Sequence, residues 1–444
     1  MALSSLLTTS DLPKEARGLI SKFLILSGLM RTLFLLSSTF YVLFVIDIVG
    51  FAELGVLLAV GFILQAIIDY PSGAFADWLG QRWVLSFAYL IHSLAFALLI
   101  LADSFFPLLF IFVLEAIAKS LESGAIQAWF DNNYKSLAAK EDPKNVAYKH
   151  ALSRVEMILG IAAGITFITG GIIATLVFRE LVFLLQAIGM FFLGIAFVSQ
   201  LRDKAVTKNH LRENYFQFIK GGVTTVTQNP KLLAFVTGTV LINVVIIIWM
   251  ELVLMALYFG YTGSDLGAGT LRFIVWITGS LSIGLMGFWT KTLKTNVWLQ
   301  RIHILHAISF FGMFAALIFL IPFQNSVNLL AICIAIVVFN ITGVLRSASF
   351  FMRQASLLDL IPNERRSSFY SLVPTLNLLV AAPLVLFVGY IIDSVSLTTA
   401  ILFLGTIELF GALIFVISSK LPLSWDFHPL ALPSMETPGN VTCC

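Results

Sequence analysis

The stretch "DYPSGAFADWLGQR", Asp69 to Arg82, is charged and glycine-punctuated, yet it lies between two long apolar runs. Its surroundings decide the fold. Of 444 residues, 59% are hydrophobic and only 11% charged, whereas soluble domains carry about 25% charged residues. The solvent for this chain is lipid. A helix needs about 20 apolar residues to cross a hydrocarbon layer of about 30 Å. Twelve such runs follow one another, at approximately 19–46, 52–75, 82–102, 106–133, 151–177, 180–200, 232–259, 265–289, 296–320, 327–352, 367–391 and 397–419. The ~10-residue alternation of a membrane β-barrel strand is absent, so the runs read as helices. Residues 69–82 then include the tight connection between the second and third spans.

Orientation follows from the basic residues, which are retained on the cytoplasmic side of short loops. Lys14, Arg17 and Lys22 precede or open the first span. Later ones gather after even-numbered spans, as with Lys135, Lys140, Lys144 and Lys149, or Arg365 and Arg366. The opposite loops hold only Arg179. Both termini are therefore expected in the cytoplasm, in a multi-pass protein of the cell membrane. The net charge of +3 reports this topology and gives no reason to expect nucleic acid as a partner. Cys333 lies in a span and Cys443 and Cys444 end the chain, so neither a disulfide framework nor a metal-ligand spacing is present. The first span lacks a short apolar core followed by a small-residue cleavage site and is expected to be retained.

The longest polar interruption, Arg202 to Lys231, divides the spans six and six. The organisation expected is an N-terminal bundle over 1–201, a cytoplasmic linker over 202–231, a C-terminal bundle over 232–420 and a disordered tail over 421–444. Leu211, Tyr215, Phe218 and Ile219 recur at helical spacing, which suits a linker helix lying on the membrane surface. An internal repeat supports two related halves. "GAFADWLGQRWVL" from Gly73 corresponds to "GFWTKTLKTNVWL" from Gly287, and "LESGAIQAWF" to "LRSASFFMRQ". The Asn440 sequon and the terminal cysteines fall in the tail, on the cytoplasmic side.

"GAFADWLGQR" resembles the loop motif of the major facilitator superfamily. "DYPS" before it, and "SGAIQAWFD" in the fourth span, resemble a branch with an acidic residue before Pro in the second helix and Ser-Gly-Ala ending in Asp in the fourth. The resemblance covers nearly the whole chain. It implies an all-α membrane fold of twelve helices in two pseudo-symmetric bundles, with helices one, four, seven and ten lining a central cavity. It also implies a cytoplasmic gate in which Gly73 and Gly80 allow close contact and a tight turn. Asp77 would reach the start of the eleventh helix and pair with a cation, with Asp131 in the same cluster. Trp78 and Gln81 stand where basic residues are usual, leaving Arg82 as the cation of that loop. "GIAAGITFITGG", Gly160 to Gly171, partly resembles the antiporter motif but lacks its proline, and small residues at this spacing also serve helix packing.

Ionisable groups in hydrocarbon cost about 2.5–3.5 kcal/mol each on insertion scales, so each one calls for a partner or a task. Arg31 lies midway along the first span. Glu115, Lys119 and Glu122 share one face of the fourth, by their spacing of four and three. Arg31 is expected to meet Glu115 or Glu122. Glu251 and Arg272 lie at similar depth on the seventh and eighth spans and are expected to pair, while Arg346 sits on the tenth. Together these make a cavity of mixed charge for substrate and protons, or a set of structural ion pairs. Glu408 has no evident partner. His92, His303 and His306 read as hydrogen-bonded scaffold groups, with a proton relay as the alternative. Pro374 and Pro383 suggest a hinge; Asn243, Asn340 and Asn377 suggest cavity hydrogen bonds, and Trp249, Trp276 and Tyr258 an aromatic wall.

The function expected is secondary active transport of a small organic solute by alternating access, as proton-coupled export by a monomer with no cofactor. Uptake, sensing and lipid movement on the same scaffold are the alternatives. A phosphate-cradling nucleotide loop and a nucleophile motif are both missing from the sequence, so catalysis beyond translocation is not expected.

Overall fold

A computed structural model describes residues 12–138, 142, 146–201, 224, 226–289, 295–319, 329–360 and 366–421. Within its helices the surroundings of some residues, Gly73 and Asp77 among them, fall outside that description. So do most of the expected linker and the tail beyond Leu421.

The described residues form helices joined by short turns. The first bundle comprises α1 (Lys14–Leu35), α2 (Tyr41–Leu79), α3 (Gln81–Leu99), α4 (Phe105–Glu122), α5 (Ala125–Ala138), α6 (Val146–Leu176) and α7 (Arg179–Gln200). The second comprises α8 (Pro230–Ile248), a π turn over Trp249–Val253, α9 (Leu254–Thr262), α10 (Asp265–Trp289), α11 (Thr295–Phe319), α12 (Leu329–Leu360), α13 (Arg366–Ser394) and α14 (Leu397–Lys420). Large apolar side chains face outward along them, including Phe106, Phe192, Phe319 and Phe410. Helices apolar on both faces belong in lipid, and ten of the spans are long and apolar enough to cross a membrane. The other two of the twelve expected passes fall on α4 with α5, where one 18-residue helix carries Glu115, Lys119 and Glu122, and on α10.

Two spans depart from the unbroken helices expected. The first stops at Leu35, and Ser37–Phe40 forms a turn in which the Ser38 hydroxyl donates to the Leu35 carbonyl at 2.6 Å. Serine and threonine offer the backbone such alternatives to the helical ladder. The helix resumes at Tyr41, and Gly50, at φ +81°, turns the first pass into the second. The fourth span is likewise broken, at Ser123 and Gly124, where Gly124 takes φ +70°. At Gly80, φ +90° separates α2 from α3. Conversely, α13 runs continuously through Pro374 and Pro383. Asn229 caps α8, its side-chain oxygen accepting from the N–H groups of Lys231 and Leu232, with Pro230 in the first turn.

Within the first bundle α3 packs on α4 and α7, and α2 on α4; within the second, α8 and α11 pack on α14, and α10 and α11 on α12. Two seams join the bundles. The second pass, in α2, lies along the eleventh, α13; the fifth, α6, lies along the eighth, α10. Each seam pairs the second pass of one half with the fifth of the other, as a pseudo-twofold requires.

Candidate functional site

At the end of the molecule poor in basic residues, the seams are locked by polar groups. Arg179, at the start of α7, grips Asp265, at the start of α10, through two hydrogen bonds of 2.9 Å. It also donates to Asp47 at 3.0 Å. On the other seam Asp393 of α13 accepts from the N–H groups of Phe51, at 3.3 Å, and Ala52, at 2.7 Å. Those are bare donors at the start of a helix, where a carboxylate is also favoured by the dipole. Gly389 lets the chains approach here, because a Cβ on it would stand 2.5 Å from the Phe51 carbonyl oxygen. The glycines of the partial antiporter motif pack the other seam, a Cβ at Gly164 falling 2.9 Å from Phe273.

Among the described residues two cavities carry charged side chains in their walls. One, with about 410 Å³ of empty volume, is lined by Tyr41, Gln65, Glu115, Lys119 and Glu251 among others. The second, of about 540 Å³, lies in the second bundle, and its walls include Trp249, Tyr258, Arg272, Trp276, Phe310 and Arg346. The π turn separates them: Trp249 and Met250 face the larger, Glu251 the smaller. The expected cavity of mixed charge is thus sorted, acidic groups with one lysine on one side and arginines on the other.

Beside the smaller cavity sits a buried cluster of one histidine, two glutamates and a tyrosine. His92, fully buried, contacts Glu115 Oε1 through Nδ1 at 2.9 Å. Its Nε2 lies 3.3 Å from Glu122 Oε2, and the Tyr89 hydroxyl donates to Glu122 Oε1 at 3.0 Å. Lys119 Nζ approaches the other oxygen of Glu115 at 4.0 Å. Since Glu115 also lines the cavity, the cluster is in contact with whatever occupies it.

The expected pairings are corrected in two places. Arg31 bonds Glu156 of α6 at 3.0 Å, not Glu115 or Glu122, which His92 engages instead. Nor do Glu251 and Arg272 pair among the described residues: Arg272 donates to the Ser38 carbonyl and lies over the Phe167 ring at 4.4 Å, whereas Glu251 opens to the smaller cavity. Ser38 can accept because the break after Leu35 frees its carbonyl from the helical ladder. Glu408, which had no expected partner, meets His306 at 2.6 Å with both groups buried. His303 meets Ser349 at 2.8 Å. Asn243 accepts from Arg353 at 2.7 Å, and Asn340 accepts from Thr278.

Of the expected gate, Gly73 and the Asp77 side chain lie outside the described residues. Gly80 makes the turn, and Arg82 lies over Trp83 at 5.5 Å. Asp131 accepts from the Tyr148 hydroxyl. Burial, then that carboxylate, push the Tyr148 hydroxyl well above its usual pKa, so it remains a neutral donor. Sequence reasoning missed Glu156 and the His–Glu contacts. One signal was present: His92 and His306 each stand twelfth in their helices, α3 and α11, the third pass of each half.

A membrane-spanning helical chain, built as two related bundles around charged cavities and held together by polar contacts at one end, has the build of a solute carrier. The chain belongs to the Major Facilitator Superfamily, whose family model matches residues 23–372, and it is a transporter of the secondary kind. Among solved structures it is similar to the nucleoside transporter NupG, at 12% identity and TM-score 0.67 over 91% of this chain and 100% of that one. It is similar also to the POT family transporter PepTSo, at 11% identity and TM-score 0.70, over 92% and 98%. A bacterial homolog of the human lysosomal transporter Spinster, in an inward-facing and unoccupied conformation, aligns at 16% identity and TM-score 0.61, over 90% and 95%. At these identities the likeness is one of fold. No curated protein matches the chain significantly.

Proposed function

We propose that this protein carries a small organic solute across the cell membrane by alternating access, coupled to protons. The observation supporting the coupling is Glu115, which touches His92 and Lys119 and also lines a cavity. A proton arriving at the cluster changes the charge facing the solute, and a solute in the cavity changes the cost of keeping the proton. On the expected topology the end held by Arg179 and Asp393 faces outward and both termini are cytoplasmic. The two bundles then rock about the cavities, parting at the Arg179 and Asp393 contacts as the opposite end closes. The direction proposed is export, a reading carried by the sequence alone.

The test is purified protein in vesicles with an imposed pH gradient and a pH-sensitive dye inside. A panel of organic anions, cations and neutral solutes is added in turn. A transported solute discharges the gradient in the wild type, and the sign of solute movement gives the direction. Glu115→Gln should still exchange solute down its own gradient while losing at least about tenfold of the proton-driven component, as loss of a general proton-transfer group does. Proton-driven flux through Glu115→Gln equal to that of the wild type would remove the assignment.

A further inference from the structure

Among the described residues the larger cavity is walled by two arginines and by no carboxylate. Arg272 and Arg346 both line it, and among the described residues neither forms an ion pair. Arg272 is buried, at 8% exposure, and its Nε–H has no acceptor. Its other contacts are the Ser38 carbonyl and the face of Phe167. Arg346 donates to the sulfur of Met250 at 3.1 Å, a weak acceptor. Two guanidinium forks are therefore held within the membrane, with most of their donors unspent. A fold does not retain like charges together in lipid for stability, because each is costly alone and they repel one another.

The geometry points to a binding site for an organic anion with an aromatic body, its anionic oxygens taken by Arg272 and Arg346. Guanidinium groups match carboxylate and related oxyanions through paired N–H bonds. The other walls complete the requirement: Trp249, Trp276, Tyr258 and Phe310 offer flat apolar surface. The acidic groups, Glu115 and Glu251, border the other cavity, so the charge sorting itself selects an anion here over a cation. Since Arg272 also bonds the Ser38 carbonyl across the α6–α10 side of the interface, an anion that takes its donors competes with a contact between the bundles. This deepens the transport reading, on which it rests only for the solute being carried.

The experiment uses full-length protein in lipid nanodiscs and matched probes. These are 3-phenylpropionate, its neutral amide and 3-phenylpropylamine, with phenylphosphonate and benzenesulfonate as further anions. Binding is read by quenching of tryptophan fluorescence and by thermal stabilisation. At least one anion should bind saturably, and at least tenfold more tightly than the amide and the amine. Arg346→Gln should weaken that binding tenfold or more, Arg346→Lys less so. Arg301→Gln, whose guanidinium lies over Trp298 instead, should bind as the wild type does. The site is overturned if no anion binds the wild type, if the amine binds and the anions do not, or if monodisperse Arg346→Gln binds unchanged. Anion binding without gradient-driven flux would sink the proton-coupled carrier and leave the site standing. Flux of a cation or neutral solute with no anion bound would do the reverse.

Discussion

Arg179 is placed to set how readily the charge-poor end opens. Its two bonds to Asp265 cross from one bundle to the other, and both side chains are largely buried, at 19% and 8% exposure. Losing one partner of a desolvated, hydrogen-bonded charge pair costs about 2–5 kcal/mol, while the gap between conformers of such a protein is a few kcal/mol. One side chain can therefore decide the balance. Arg179→Gln should move the population toward an open charge-poor end by at least tenfold, seen as a longer distance between spin labels at Val177 and Ser264 in a background free of native cysteines. An unchanged distance distribution would show that the lock is incidental. Other residues of the candidate site were legible to different degrees. The shared face of Glu115, Lys119 and Glu122 followed from helical spacing, which is local. The partners of Arg31 and Glu408 lie 125 and 102 residues away in sequence, and spacing along one helix carries no information about them.

At the scale of elements, the π turn over Trp249–Val253 has an effect that neither composition nor periodicity signals. An extra residue in the turn redirects successive side chains, and so Met250 and Glu251 reach different cavities. Deleting Val253 should restore an uninterrupted α-helix with its flanks in register and swing Glu251 away from the smaller cavity. Transport should fall at least tenfold while the protein still elutes as a single species; full activity in the deletion would deny the turn any role. The membrane-spanning helices themselves were readable because hydropathy is a property of each segment alone. The breaks at Ser37–Phe40 and Ser123–Gly124 were not, because those residues also sit comfortably inside helices. What selects the break is the environment, including the Gly170 position, where no Cβ could stand beside the Leu36 carbonyl, and Arg272, which takes the Ser38 carbonyl.

For the whole molecule, the internal repeat anticipated two related bundles, but nothing in it told which faces meet. That depends on positions such as Gly55 and Gly389, whose close approach brings backbone onto backbone. A side chain in place of Gly389 would drive its Cβ into the Phe51 carbonyl, so Gly389→Val should hold the charge-poor end apart. The variant should fold, bind solute from that side and fail to complete the cycle, read as loss of flux with binding retained. Flux at the wild-type rate would mean the seam need not close. Asp393 adds a different constraint. The amides it covers at Phe51 and Ala52 belong to the opposite bundle, and once uncovered they must find other acceptors at once. Separation of the bundles is for that reason a wetting event, with water molecules as stoichiometric participants, and its speed is tied to how easily solvent reaches that crevice.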